Sequence, residues 1–131
     1  MIGYAAAEIF TPEDFRLLKR ATLIVSRLPA QIDGDWVRCH ELARVVGKLL
    51  DLQAFDGKYG AVEHSWLLTP SRNVLDPYVP ARVPQVQLVD AKVSCLANAE
   101  YRTGPDREDI RRDVIQALHR MLGDKTARAE A

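Results

Sequence analysis

The chain has 131 residues, the length of one ordinary domain. Hydrophobic residues make up 47% of it and charged residues 27%, enough apolar material for a single core in a globular protein. Eighteen basic side chains balance eighteen acidic ones, and the one charge-dense stretch, Arg107 to Arg120, mixes both signs. Nucleic acid and membrane surfaces therefore have no electrostatic hold on it and are excluded as partners.

The segment Met1–Glu8 has no basic start, and Glu8 breaks its apolar run, so it does not read as a secretory signal. No apolar stretch approaches the ~20 residues of a spanning helix. These features predict a cytoplasmic protein, or one exported without a signal peptide. Two cysteines, Cys39 and Cys95, lack CxxC spacing, and the histidines are not grouped as ligands. The reading is of two free thiols, with no metal and no cofactor. Cys95 has no apparent partner and reads as buried.

Thr11-Pro12-Glu13-Asp14 opens a helix: Thr11 caps, Pro12 suits the first turn, and the acids face the positive end of the dipole. Leu17, Ala21, Ile24 and Leu28 then recur on one helical face, and Pro29 ends it. Gln31 to Asp35 is a loop in which Asp33 and Asp35 are candidate N-caps. A second helix is predicted from Trp36 to Leu50, with Cys39, Leu42, Ala43, Val46, Leu49 and Leu50 inward. Gly47 weakens it by about 1 kcal/mol relative to Ala and permits close packing.

Beyond Leu52 the pattern shortens. Residues 53–59, 62–69, 73–78 and 86–89 read as strands, punctuated by Asp56-Gly57, Gly60 and Pro70-Ser71-Arg72-Asn73 as turns. Pro77, Pro80 and Pro84 make an extended surface loop. Residues 90–101 fit helix or loop equally. Thr103-Gly104-Pro105-Asp106 opens a last helix over 107–122, with Ile110, Val114, Ala117, Leu118 and Met121 inward and Gly123 as its stop. The expected architecture is an α+β domain over 1–124, followed by a frayed tail over 125–131. A cysteine-bearing helix packs on a small antiparallel sheet, with helices at either end.

Three residues suggest chemistry. Cys39 falls near a helix start, where the dipole favours the thiolate, the nucleophilic form. His64 shares a strand face with Trp66 and Leu68, and buried there it requires a hydrogen-bond partner. Asp76 follows on the next strand of a hairpin, within reach of a His64 ring nitrogen across neighbouring strands. A thiol enzyme needs a nucleophile, a base and a group that holds the base's tautomer, and these residues occur in that order, 25 and 12 residues apart. Each alone also has a structural reading: a buried cysteine, a satisfied core histidine, an Asx turn before Pro77.

The cysteine helix, His64-Ser65-Trp66 and Leu75-Asp76-Pro77 together resemble the transglutaminase-like superfamily of papain-like Cys–His–Asp enzymes, over about Asp35 to Val79. The resemblance implies Cys39 as nucleophile, His64 as base and Asp76 as orienting acid. Val37-Arg38-Cys39-His40 departs from it, lacking small residues beside the cysteine, and the domain is small for the superfamily. His40 is either a decoy or a substrate contact. The backbone N–H of Cys39 is the default oxyanion donor, with Trp36, Gln31 and Tyr59 as side-chain candidates. Glu63 and His119 read as solvated.

The function this predicts is a thiol hydrolase or acyltransferase on a protein, peptide or small amide substrate. The two alternatives are an inactive binding module on the same scaffold and an unrelated α+β interaction protein. Oligomeric state is open.

Overall fold

Residues 10–78, 86–89 and 101–130 are described by a computed structural model, 124–130 for their backbone only. The proline loop at 80–84 and Cys95 lie outside the described residues. Helix α1 spans Pro12–Ser26 and opens on a capping box: Thr11 Oγ1 accepts from Asp14 N–H, and Asp14 Oδ2 accepts from Thr11 N–H, both at 3.0 Å. It buries Leu17, Ala21 and Val25, with Ile24 and Leu28 half-buried against the same core.

The segment expected to be a capping loop is a miniature ribbon instead. Strands β1 (Gln31–Ile32) and β2 (Asp35–Trp36) pair antiparallel across Asp33 and Gly34. Both turn residues have positive φ, 52° and 84°, the demand of a tight two-residue hairpin that Asp-Gly meets best. Neither Asp33 nor Asp35 therefore caps the next helix. Helix α2 (Cys39–Leu50) starts three residues later than the pattern predicts, with extended Arg38 as N-cap and no capping side chain. Asp51 closes it in the left-handed region at φ 58°. Its buried stripe runs through Cys39, Leu42, Ala43, Val45, Val46 and Leu50, whereas Leu49, read as inward, is 41% exposed.

Strands β3 (Ala54–Tyr59), β4 (Val62–Leu68), β5 (Val74–Asp76), β6 (Gln87–Val89) and β7 (Tyr101–Thr103) form one antiparallel sheet in the order β6-β5-β4-β3-β7. The domain is thus α+β, with the cysteine-bearing helix packed on the sheet between an N-terminal and a C-terminal helix. Asp56-Gly57 sits inside β3 and is no turn. Gly57 is required by a long-range approach: a Cβ there would lie 1.9 Å from Arg102 O on β7. Gly47 does permit close packing, since its missing Cβ would meet Leu52 O at 2.6 Å and Leu67 Cδ2 at 2.8 Å.

Alternation along β4 divides the sheet into two buried faces. Leu67 joins Leu75 and the helices in the core, and Ser65 lies on the same side. His64 and Trp66 face the other way, into a cluster with Tyr59 and Tyr101. Ladder pairs join β4 to β5 at Leu67–Leu75 and Leu68–Val74. The buried carboxylate of Asp14 accepts from Ser71 Oγ at 2.7 Å and Asn73 Nδ2 at 2.9 Å, so the start of α1 holds the β4–β5 turn and fixes how its strands leave.

Helix α3 spans Arg112–Glu130, five residues late at its start and past Gly123 at its end. The late start has a tertiary cause. Arg107 N–H donates to Asp56 Oδ2, and Arg111 N–H donates to Glu41 Oε2, so two backbone donors serve buried carboxylates on other elements. Gly123 is exposed with open space around it, and its cost of about 1 kcal/mol is carried by the helix formers that follow. His119 is half-buried rather than solvated; its Nε2 is enclosed with no hydrogen-bond partner among the described residues, and burial, then Lys48, push its pKa down.

Candidate active site

The site begins at the first residue of α2. Cys39 occupies N1, and helix bonding begins with Leu42 N–H to Arg38 O, so the amides of the first turn precede the helix's own ladder. Arg38 does not cap them. Its guanidinium is drawn sideways to Glu41 and Asp109, at 2.6 and 3.1 Å. The thiol therefore stands at the positive end of a helix dipole, beside amide donors that no side chain among the described residues caps, the setting that stabilises a thiolate or an oxyanion.

His64 and Asp76 meet as the hairpin requires. His64 Nε2–H donates to Asp76 Oδ2 at 2.7 Å, with both side chains buried. This commits Nε2 and leaves Nδ1 as the ring's proton-exchanging atom. Asp76 is itself fully satisfied: Oδ1 accepts from Tyr78 N–H at 2.9 Å, and Oδ2 accepts from Tyr101 Oη at 2.7 Å. Gln87 Nε2 donates in turn to Tyr101 Oη at 2.9 Å. Burial and then the charge of Asp76 push the Tyr101 phenol well above its ordinary range, which keeps it a donor. The aromatic rings of Tyr59, Trp66 and Tyr101 surround the His64 ring at centroid distances of 6.1 to 6.2 Å.

Cys39 and His64 act on each other electrically. Burial alone pushes the thiol up; His40 and then His64 overcome this, and its pKa falls from 9.0 to about 6. Burial alone pushes His64 down; Asp76 and then Cys39 overcome this, and it rises from 6.5 to about 9. Each group thus favours the charged form of the other, the direction of a thiolate–imidazolium pair.

A second histidine flanks the sulfur. His40 Nδ1 and Nε2 lie 3.6 and 3.9 Å from Cys39 Sγ. A hydrogen bond aimed along one nitrogen's axis would leave the other much farther away, so the sulfur rests against the side of the ring. His40 Nδ1 lies 2.7 Å from Ser65 Oγ, whose proton goes to Asp56 Oδ1 at 2.6 Å. Arg44 closes this chain with bonds of 3.0 and 2.6 Å to the two Asp56 oxygens. Although buried, Asp56 is brought down to about 2 by Arg44, Ser65 and the Arg107 N–H.

Of the sequence-derived site residues, His64 and Asp76 are thus hydrogen-bonded to each other, Cys39 is coupled to His64 through charge, and Tyr59 packs edge-on against His64. Gln31 and Trp36 lie exposed on the β1–β2 ribbon, Trp36 at 58%, and neither side chain bonds to the three among the described residues. Glu63 is exposed as read, and pairs with Arg107. Tyr101, Ser65 and Asp56 were not legible as site residues. Tyr101 ends the stretch whose pattern fits two structures, and only strand parity, which sets Ser65 beside Leu67 rather than His64, hinted at the second arm. Among the described residues no group of three or more His, Cys, Asp or Glu side chains is arranged to hold a metal ion. No described helix is long and apolar enough to cross a membrane.

Compared with family models, with curated proteins and with solved structures, the chain finds no match in any of the three.

Proposed function

We propose that this protein is a thiol hydrolase or acyltransferase of the transglutaminase-like, papain-like kind, acting through a thioester on Cys39. The observation that carries this is the buried 2.7 Å His64–Asp76 bond, charge-coupled to a thiol at the first residue of a helix. The Cys39 thiolate attacks an amide or ester carbonyl, and the oxyanion that forms is received by the amides of the first α2 turn. The imidazolium of His64 gives its Nδ1 proton to the leaving amine or alcohol as the carbon–heteroatom bond breaks. Water or an amine then attacks the thioester while neutral His64 accepts its proton, and the thiolate leaves. Asp76 holds the tautomer and the charge throughout.

A panel of activated esters and peptide anilides, with and without an added primary amine, tests this. Turnover should vanish in Cys39→Ala and His64→Ala, and an amide product formed only with the amine would mark transfer over hydrolysis. Turnover that survives Cys39→Ala would overturn the proposal. The depth of the site, with Cys39 only 8% exposed, favours a second reading, an inactive binding module on the same scaffold. An inert Cys39 with an ordinary thiol pKa of ~8.5 would support that one.

A further inference from the structure

Resting on that reading, we infer that His40 is a positioning residue: the chain Arg44–Asp56–Ser65 locks its tautomer and sets the side of its ring against the Cys39 sulfur, aiming the thiol at His64. The proton count dictates the lock. Ser65 has one hydroxyl proton, and the Asp56 carboxylate, which can only accept, takes it at 2.6 Å. At 2.7 Å the Ser65 oxygen must therefore accept from His40, so His40 carries its proton on Nδ1. Arg44 holds Asp56 in place through two bonds, so the carboxylate stays fixed as the acceptor of the Ser65 proton.

All three linking side chains are buried: His40 at 6%, Ser65 at 0% and Asp56 at 2% exposure. They come from α2, β4 and β3, and Ser65 lies on the opposite face of β4 from its neighbour His64, so the arm and the His64–Asp76 pair hold the site from the two faces of one strand. The sulfur lies on neither nitrogen axis of His40, which separates the two histidines by role. His64 exchanges the proton; His40 holds the sulfur. A loose His40 would let the thiol rotate away from His64 and would itself offer a basic nitrogen to the thiol proton.

The test reads the thiol directly and needs no substrate. The pH profile of Cys39 alkylation by iodoacetamide is measured by peptide mass spectrometry for wild type, Ser65→Ala, Ser65→Thr and His40→Phe. Ser65→Ala should raise the Cys39 midpoint by roughly one unit, and Ser65→Thr, which keeps the hydroxyl, should restore it. His40→Phe keeps the ring's bulk without its nitrogens and should raise the midpoint at least as far as Ser65→Ala. An unchanged midpoint in Ser65→Ala or His40→Phe overturns the inference. So does an equal rise in Ser65→Ala and Ser65→Thr, which would assign the effect to packing at a buried strand position. If Ser65→Ala does not fold, His40→Phe decides alone. A wild-type midpoint near ~8.5 would instead overturn the proposed function itself, so the two failures are distinct.

Discussion

Replacing Asp76 with Asn removes the charge that holds His64 as a cation while keeping the shape of the side chain. The amide cannot serve its neighbours in their present protonation states in either orientation. Asp76 Oδ2 accepts from both His64 and Tyr101, and Oδ1 accepts from Tyr78 N–H. An amide nitrogen on the second side confronts a backbone N–H, and on the first side it bonds His64 only if the ring moves its proton from Nε2 to Nδ1, the wrong tautomer for taking a proton at Nδ1. His64 then loses the partner that lifts it to about 9, and the thiol loses the cation that helps bring it to about 6. The Cys39 midpoint should rise by at least about one unit. On the acid side, each unit of rise cuts the thiolate fraction tenfold. A thiolate of higher pKa is also the better nucleophile, by about threefold per unit at a Brønsted slope near ~0.45. The variant should therefore react about threefold more slowly than wild type well below pH 6 and about threefold faster between its own midpoint and pH 9, with the two profiles crossing between and converging above pH 9 as His64 loses its proton in wild type too. A rate at a single neutral pH can miss the effect altogether. The assay is timed iodoacetamide labelling from pH 4 to 10, quantified on the Cys39 peptide with the Cys95 peptide as internal reference. Parallel profiles with one midpoint would refute the coupling of Cys39 to the His64–Asp76 pair.

Tyr101→Phe removes one of two donors on Asp76 Oδ2 and should cost about 1 kcal/mol, seen as a fall in Tm of roughly 4 °C, with a lower rate for any acyl transfer. Asp14→Ala leaves Ser71, Asn73 and the Thr11 N–H without their common acceptor, for a loss of about 2–3 kcal/mol in denaturant unfolding. The hydrogen bonds of Asp14 outweigh its burial and hold its pKa below 3.8. Its contribution is thus present above that value and lost as pH falls through the folded pKa, so acid unfolding should be less steep in Asp14→Ala. Gly57→Ala drives a Cβ to 1.9 Å from a backbone oxygen that cannot turn away, and should detach β7. Amide exchange across residues 101–103 reads that detachment directly, and unchanged protection there would contradict it.

What the sequence disclosed depended on the range of the interaction responsible. The spacing of Leu17 and Ala21 and the capping signal at Thr11 are local, and α1 lies where they predict. His64-x-Trp66 and Leu75-Asp76-Pro77 are short patterns joined by one turn, and His64 meets Asp76 as expected. Asp33-Gly34 was a local signal read for the wrong element: caps and hairpin turns draw on the same residues, and the two positive φ values decide for the turn. The start of α3 was not legible because Asp56 and Glu41, distant in sequence, capture backbone amides that helix propensity alone would enlist. Gly57 marks a strand crossing rather than a turn for the same reason. The Ser65–Asp56 arm required the β3–β4 register, which sets those two residues directly opposite one another.

The central claim is that Cys39 is a primed acyl acceptor. Intact-mass and peptide mass spectrometry after brief exposure to p-nitrophenyl acetate at pH 7 tests it most directly. One hydroxylamine-labile acetyl group on Cys39, greatly reduced in His64→Ala and absent from Cys95, is the predicted result. Equal labelling of Cys39 and Cys95, or labelling of Cys39 unaffected by loss of His64, would contradict it.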